Sequence, residues 1–213
     1  MKITEIKHTI QGEGSLQGTP SIFVRFKECN LNCVWCDSKK QNNYICLNVE
    51  ELMKKIEKYN CKNIVITGGE PFLEKDLEIL TIKLKELNYH ITIETNGTIY
   101  RSVMCDLLSI SPKLKHSNNR NCLDFEVLGK LITNYNYQIK FVVRDEKDIE
   151  EISRIIKKLK LVKDERIMLM PLSLNYAEIK DREKSVIKLC MKNNYRYADR
   201  LQLQIWRDEE ENL

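Results

Sequence analysis

Short apolar, β-branched runs alternate along this chain with longer stretches whose apolar residues recur every three or four positions. Ser21–Phe26 (SIFVRF), Ile64–Thr67 (IVIT), His90–Glu94 (HITIE), Leu107–Ile110 (LLSI), Gln138–Val143 (QIKFVV), Ile167–Met170 (IMLM) and Leu201–Trp206 (LQLQIW) read as strands. Between them, Val49, Leu52, Met53, Ile56 and Tyr59 fall at helical spacing, with Asn48 placed to cap and Glu51 three residues on. Ile149, Ile152, Ile155, Ile156 and Leu159 form a second helical stripe, and Glu178–Lys192 is a third candidate. Strands separated by helices predict βαβ units and a mostly parallel sheet. About six parallel strands in 213 residues suit an open, partial TIM-like barrel better than a closed eight-fold one. The expectation is a single α/β domain over residues 1–213.

Composition excludes several classes. With 42% hydrophobic and 31% charged residues the chain has material for a packed core and is not a disordered or low-complexity protein. No apolar run approaches the length of a membrane span. The N-terminal MKITEIKHTIQGEG alternates charged and apolar residues without the apolar core of a signal peptide. Lys and Arg number 35 against 31 Asp and Glu, a net charge of +4 that makes no general case for nucleic-acid or anionic-membrane partners. A cytoplasmic location with reduced thiols is expected. Of eight cysteines, Cys46, Cys61, Cys105, Cys122 and Cys190 are scattered and read as small apolar residues. His8, His90 and His116 read as isolated surface or strand-flank residues, and the acidic tail after Trp206 as a solvated terminus.

Parallel sheets bind ligands on the loops that follow the strands. The loop after SIFVRF carries Cys29, Cys33 and Cys36; the loop after IVIT is Gly68-Gly69-Glu70-Pro71. Thr95, Asn96 and Gly97 follow HITIE, and Ser111, Pro112 and Lys113 follow LLSI. These polar loops converge on one end of the sheet. Three thiolates spaced CxxxCxxC can reach one metal centre but lack the fourth ligand of a structural zinc site. They suit a [4Fe–4S] cluster with one open iron; a non-catalytic zinc-binding module is the alternative. The paired glycines let backbone approach a ligand closely, and Pro71 starts a helix at its first turn.

The cysteine loop followed by GGEP resembles the radical S-adenosylmethionine superfamily. That resemblance implies a [4Fe–4S] cluster on Cys29, Cys33 and Cys36, with S-adenosylmethionine at the open iron. It places Trp35, Cys36 and Asp37 near the cofactor, and Gly69, Glu70, Ser111, Pro112 and Lys113 in its binding site. QGEG, the cysteine loop, TGGEP, ETNG, SPK and KFVV, in that order, further resemble the 7-carboxy-7-deazaguanine synthases. Those enzymes contract the ring of 6-carboxy-5,6,7,8-tetrahydropterin, with loss of ammonia, on the way to queuosine and other deazapurines. A 5′-deoxyadenosyl radical takes the hydrogen from C6 and later returns it. The resemblance implies that Ile10, Gln11 and Gly12 border the pterin, with Glu13 close by, and that Thr67 lies beneath it. Arg25 would clamp the substrate carboxylate, for which a guanidinium fork is well shaped. Ser38 stands where the family usually has a threonine that ligates Mg²⁺, and Gln202 where it commonly has a histidine. Glutamine can hydrogen-bond a pterin edge but cannot act as an acid near neutral pH. A flavodoxin or ferredoxin as reductant and a homodimer are also implied. A glycyl-radical activase, the rival within the superfamily, has no reason to carry QGEG or a hydroxyl after Cys36-Asp37.

Overall fold

A nine-stranded sheet runs through residues 1–37 and 43–207, the part of the chain that this computed structural model describes, in the order β3-β1-β2-β4-β5-β6-β7-β8-β9. The strands are β1 (Lys2–Ile10), β2 (Pro20–Phe26), β3 (Ile45–Cys46), β4 (Asn63–Gly68), β5 (His90–Thr95), β6 (Leu107–Ile110), β7 (Tyr137–Val143), β8 (Ile167–Pro171) and β9 (Arg196–Tyr197). From β2 to β9 every neighbouring pair is parallel, while β1 runs antiparallel to both β2 and β3. The edges β3 and β9 do not meet, so the sheet is an open, partial barrel. Helices α1 (Val49–Ile56), α2 (Leu77–Glu86), α3 (Phe125–Asn134), α4 (Asp148–Leu159) and α5 (Tyr176–Asn193) fill crossovers, and a short α6 (Leu201–Ile205) follows β9. None of these helices is long and apolar enough to cross a membrane.

The six expected parallel strands through Ile167–Met170 all form, and so does the capping box on α1. Asn48 accepts from the Glu51 N–H and its own N–H donates to Glu51, both at 2.9 Å. The run Leu201–Trp206, expected as a strand, is instead helix α6, with Leu203 as its buried residue. Its first N–H donates to Gly12 O at 2.9 Å, so the segment is docked on the turn after β1 rather than on a strand neighbour. Strand β1 and helices α2 and α3 were not expected.

Side-chain alternation on the parallel strands sorts the site from the core. Ile22, Val24 and Phe26 of β2, Ile64 and Ile66 of β4, Ile91 and Ile93 of β5, Leu108 and Ile110 of β6, and Ile139, Phe141 and Val143 of β7 point to one face. There they pack under the helices in one large core with Leu52, Leu80, Leu131 and Ile155. The intervening residues face the other way: Arg25, Thr67, Glu94, Ser109 and Lys140 all line the inner face. Near-continuous apolar runs suit strands buried on both faces, so these polar interruptions mark where the inner face is put to use.

Candidate active site

The inner face opens at the C-terminal ends of the parallel strands into a cavity of about 360 Å³. A row of polar side chains crosses its floor. Arg25 is in register with Thr67, Thr67 Oγ1 donates to Glu94 Oε2 at 2.7 Å, and Glu94 is in register with Ser109. Gln138 Nε2 then donates to Ser109 Oγ at 2.9 Å. The two hydrogen bonds within the row, Thr67 to Glu94 and Gln138 to Ser109, satisfy polar groups that the strands bury. Gln11 ties the turn after β1 to this row: its Nε2 donates to Glu94 Oε1 at 3.2 Å and its Oε1 accepts from Glu13 N at 3.0 Å. Alternate residues of β1, Glu5, Lys7 and Thr9, form a side wall. Arg25 Nε donates to Glu5 Oε2 at 2.7 Å, which uses one of the five donors of the guanidinium.

The cysteine loop leaves β2 at a root fixed by backbone pairing. Gly69 N donates to Phe26 O and Glu70 N to Glu28 O, both at 2.7 Å. A Cβ on Gly69 would lie 2.0 Å from Glu28 O, and one on Gly68, whose φ is +105°, 2.4 Å from Phe26 N. Both glycines are therefore needed for the loop after β4 to lie against the root of the cysteine loop, a role beyond the ligand approach expected of them. Glu70 is fully buried and accepts from Phe72 N (3.1 Å), Thr95 Oγ1 (2.7 Å) and Asn96 N (2.7 Å). Burial pushes its carboxyl up. Expected beside the cofactor, Glu70 lies outside the cavity lining and fastens the loops after β4 and β5 together; Pro112 also lies outside it.

All three loop cysteines line the cavity, Cys33 buried, Cys36 half-buried and Cys29 exposed. Among the described residues no three His, Cys, Asp or Glu side chains converge as they would on a single metal ion. Three thiols on one wall, all soft donors and with no fourth protein ligand offered by the loop, suit an iron–sulfur cluster with one open iron. Lys113 sits beside them, its Nζ donating to Ser111 O at 2.8 Å and Ser111 Oγ at 2.9 Å, and lies 5.8 Å from the Trp35 ring. Burial lowers the Lys113 pKa. Trp35 Nε1 donates to His116 Nδ1 at 3.0 Å, which leaves His116 Nε2 to donate to Val142 O at 3.1 Å. The His116 side chain is 2% exposed and stands 3.5 Å from Asp148. Expected as an isolated surface or flank residue, His116 is the buried anchor of Trp35.

Where the turn after β1 meets α6, three largely buried charges, Glu13, Lys140 and Arg200, form a cluster that reaches the more exposed Asp37. Glu13 accepts from Lys140 Nζ, from Arg200 Nε at 3.1 Å and from Gln202 Nε2 at 3.0 Å. Arg200 also donates to Asp37 Oδ2 at 2.6 Å and to Ser173 O. Burial works against the charge of Glu13, yet Lys140 and Arg200 hold its carboxyl far below the usual carboxylate range. Burial likewise opposes the cations, but Glu13 keeps the pKa values of Lys140 and Arg200 raised. Asp37 is lowered, burial again opposing and Arg200 prevailing. Gly12 lies closely under α6: a Cβ there would lie 1.8 Å from Gln202 Oε1 and 3.1 Å from Gln202 N, so Gln202 would have to move to admit a side chain. With Nε2 committed to Glu13, Gln202 Oε1 is buried without a hydrogen-bond partner among the described residues.

One cavity thus unites Ile10, Gln11, Gly12, Glu13, Arg25, Thr67 and Gln202 with Trp35, Asp37, Gly69, Ser111, Lys113 and the three cysteines. Ser38 lies outside the described residues, as do 208–213 of the acidic tail. Glu94, Lys140 and Arg200 were not singled out in the sequence. The signal for the first two was a charged residue inside an otherwise buried strand. Arg200 gave none, because its partner Glu13 is 187 positions away.

An open parallel sheet with a three-cysteine loop at its C-terminal edge defines a class, and a family model for the Radical SAM superfamily matches residues 23–181. The chain is 36% identical to 7-carboxy-7-deazaguanine synthase of Halobacterium salinarum, over 99% of this chain and 92% of that one. It is also 36% identical to the Buchnera aphidicola protein of the same name, over 92% of this chain and 94% of that one. The crystal structure of QueE from Escherichia coli matches with a TM-score of 0.75 at 28% identity, covering 94% of this chain and 93% of that one. The chain belongs to the 7-carboxy-7-deazaguanine synthase family of the radical S-adenosylmethionine superfamily. It is an enzyme with a [4Fe–4S] cluster and S-adenosylmethionine as cofactors, and the activase and zinc-module alternatives fall away.

Proposed function

We propose that this chain converts 6-carboxy-5,6,7,8-tetrahydropterin to 7-carboxy-7-deazaguanine, releasing ammonia, in the formation of queuosine or a related deazapurine. The observation that carries this reading is a single cavity joining the cysteine loop to a polar floor and to the wall where the turn after β1 meets α6. In this reading Cys29, Cys33 and Cys36 hold the cluster, and Trp35, Asp37, Gly69, Ser111 and Lys113 border S-adenosylmethionine. When bound, these cofactors supply the one-electron chemistry that removes a hydrogen atom from C6 of the substrate and gives it back. The chain's own residues bind and orient. Arg25 pairs the carboxylate, Gln202 reads the ring edge, and the Glu13 cluster keeps that wall rigid and dry. We further propose that the enzyme works in the cytoplasm as a homodimer reduced by a flavodoxin- or ferredoxin-like protein. Anaerobic incubation with substrate, S-adenosylmethionine and reductant should give a product lighter by ammonia, with S-adenosylmethionine not consumed in proportion. A substrate of unchanged mass would end this reading.

Arg25→Ala should keep its iron and its reductive cleavage of S-adenosylmethionine. Truncating one partner of a hydrogen-bonded charge pair costs about 2–4 kcal/mol, so kcat/KM for the pterin should fall roughly 30- to 1,000-fold. An unchanged kcat/KM would remove Arg25 from the substrate's binding site.

The Mg²⁺ assignment rests on Ser38 following Asp37. One protein oxygen holds this cation weakly, so it should bind well only when substrate supplies further oxygens. Chelation of Mg²⁺ should therefore slow turnover without loss of iron. Ser38→Ala should be slow and insensitive to added Mg²⁺, and Ser38→Thr should behave like the parent. Turnover indifferent to Mg²⁺ in the parent would discard the assignment.

A further inference from the structure

The segment after the Ser111–Lys113 loop lies along the cysteine loop and grips it at successive residues. Asn32 N donates to Asn119 Oδ1 at 2.7 Å, Val34 N to Ser117 O at 3.2 Å, and Trp35 Nε1 to His116 Nδ1 at 3.0 Å. Within this grip, Asn119 Nδ2 donates to Cys33 Sγ at 3.1 Å. The orientation of the amide is not free to reverse. Its oxygen must receive the Asn32 backbone N–H, so its NH₂ group faces Cys33 and also Ser117 O (3.3 Å) and Oγ (3.1 Å). Asn118 just before it has a φ of +60°, a left-handed turn that asparagine tolerates.

We propose that Asn119 is a positioning residue that raises the reduction potential of the cluster through its N–H···S hydrogen bond to Cys33. The proposal rests on the reading of Cys33 as a cluster ligand. An iron-bound cysteine sulfur carries negative charge, and that charge grows when the cluster takes up an electron. A donor aimed at the sulfur therefore stabilises the reduced state more than the oxidised one, and hydrogen bonds to sulfur are among the terms that set the potentials of such clusters. Cys33 is the buried member of the three, so this bond acts where water screens least. The Leu31 N–H that reaches Cys29 Sγ does so at 3.4 Å on the exposed side. The amide thus makes the cluster easier to reduce by the carrier that feeds it, while its carbonyl oxygen fixes the loop through Asn32.

The test uses the reconstituted holoenzyme. Asn119→Leu removes the donor without adding charge, and Asn119→Asp removes it while keeping an oxygen for the Asn32 N–H. Iron and sulfide should remain at parent levels in Asn119→Asp. The midpoint potential, followed by the electron paramagnetic resonance signal of the reduced cluster, should fall in every loaded variant, so that a fixed dose of reductant yields a smaller reduced fraction. In the parent, labelling asparagine with ¹⁵N and recording without S-adenosylmethionine should show a nitrogen hyperfine coupling that Asn119→Asp lacks. A loaded Asn119→Leu protein with the parent's potential would overturn the proposal, and so would a loaded parent without the coupling. Loss of the cluster from Asn119→Asp would overturn it too, because the residue would then serve assembly rather than potential. A parent protein that assembles no cluster at all would instead refute the reading of the cysteine loop.

Discussion

Replacing Cys33 with alanine will give a folded protein that holds no cluster and does not cleave S-adenosylmethionine. The expectation follows from geometry on both sides of the cysteine loop. The three thiols line one cavity wall, and the described residues offer no alternative group of His, Cys, Asp or Glu side chains for a metal. With three ligands and an exchangeable fourth position, there is no spare thiolate to compensate for a lost one. Folding should survive, because a small buried side chain contributes about 1–2 kcal/mol and the loop keeps its ties to Ser117 and to Asn119 through Val34 and Asn32. Cys29→Ala and Cys36→Ala should behave alike. Iron and sulfide analysis under anaerobic conditions, together with release of 5′-deoxyadenosine, reads the outcome. Full iron content and cleavage in Cys33→Ala would show the assignment to be wrong.

Runs such as IVIT and IMLM betrayed buried parallel strands because β-branched and large apolar residues cover both faces of the sheet there. Strand β1 escaped because its apolar positions, Ile3, Ile6 and Ile10, do not keep a period of two. A register shift between Ile3 and Glu5 explains the break. Helix α2 escaped for a different reason: Leu77, Leu80 and Leu84 are buried at helical spacing, but Ile79 and Ile82 on the other face are exposed and blur the pattern. The run LQLQIW misled in the other direction. Strict alternation is a strand signal only where a neighbouring strand is available, and the edge beside β8 is taken by β9. The site was legible wherever its residues sit on loops that follow strands. What could not be read were partners far apart in sequence: Arg200 with Glu13, His116 with Trp35, and Asn119 with Cys33.

Glu13→Ala should be the most destabilising single change in the substrate end of the cavity and should also abolish pterin turnover. Lys140 and Arg200 have side chains only 6% and 10% exposed, so removing their shared carboxylate leaves two buried cations with Asp37 as the remaining acidic partner of Arg200. Breaking a buried ion pair from one side typically costs about 3–5 kcal/mol, which urea denaturation would detect as a lower midpoint. Glu13→Gln keeps the shape and isolates the charge, and its pH dependence has a definite sign. The carboxyl of Glu13 is lowered in the folded protein, so its contribution is fully present above the unfolded value of about 4.3 and is lost as pH falls through the folded value. Lys140 is raised, so its contribution is fully present below its unfolded value of about 10.4 and is lost as pH rises through the folded one. The stability gap between the parent and Glu13→Gln should therefore be flat between about pH 5 and pH 9 and should close in strong acid. Because Gln202 Nε2 also donates to Glu13, the same substitution should loosen α6 and raise the KM for the pterin while leaving iron content untouched. A Glu13→Gln protein as stable as the parent at neutral pH, with the same KM, would show that the charge of Glu13 neither holds α6 in place nor shapes the substrate site.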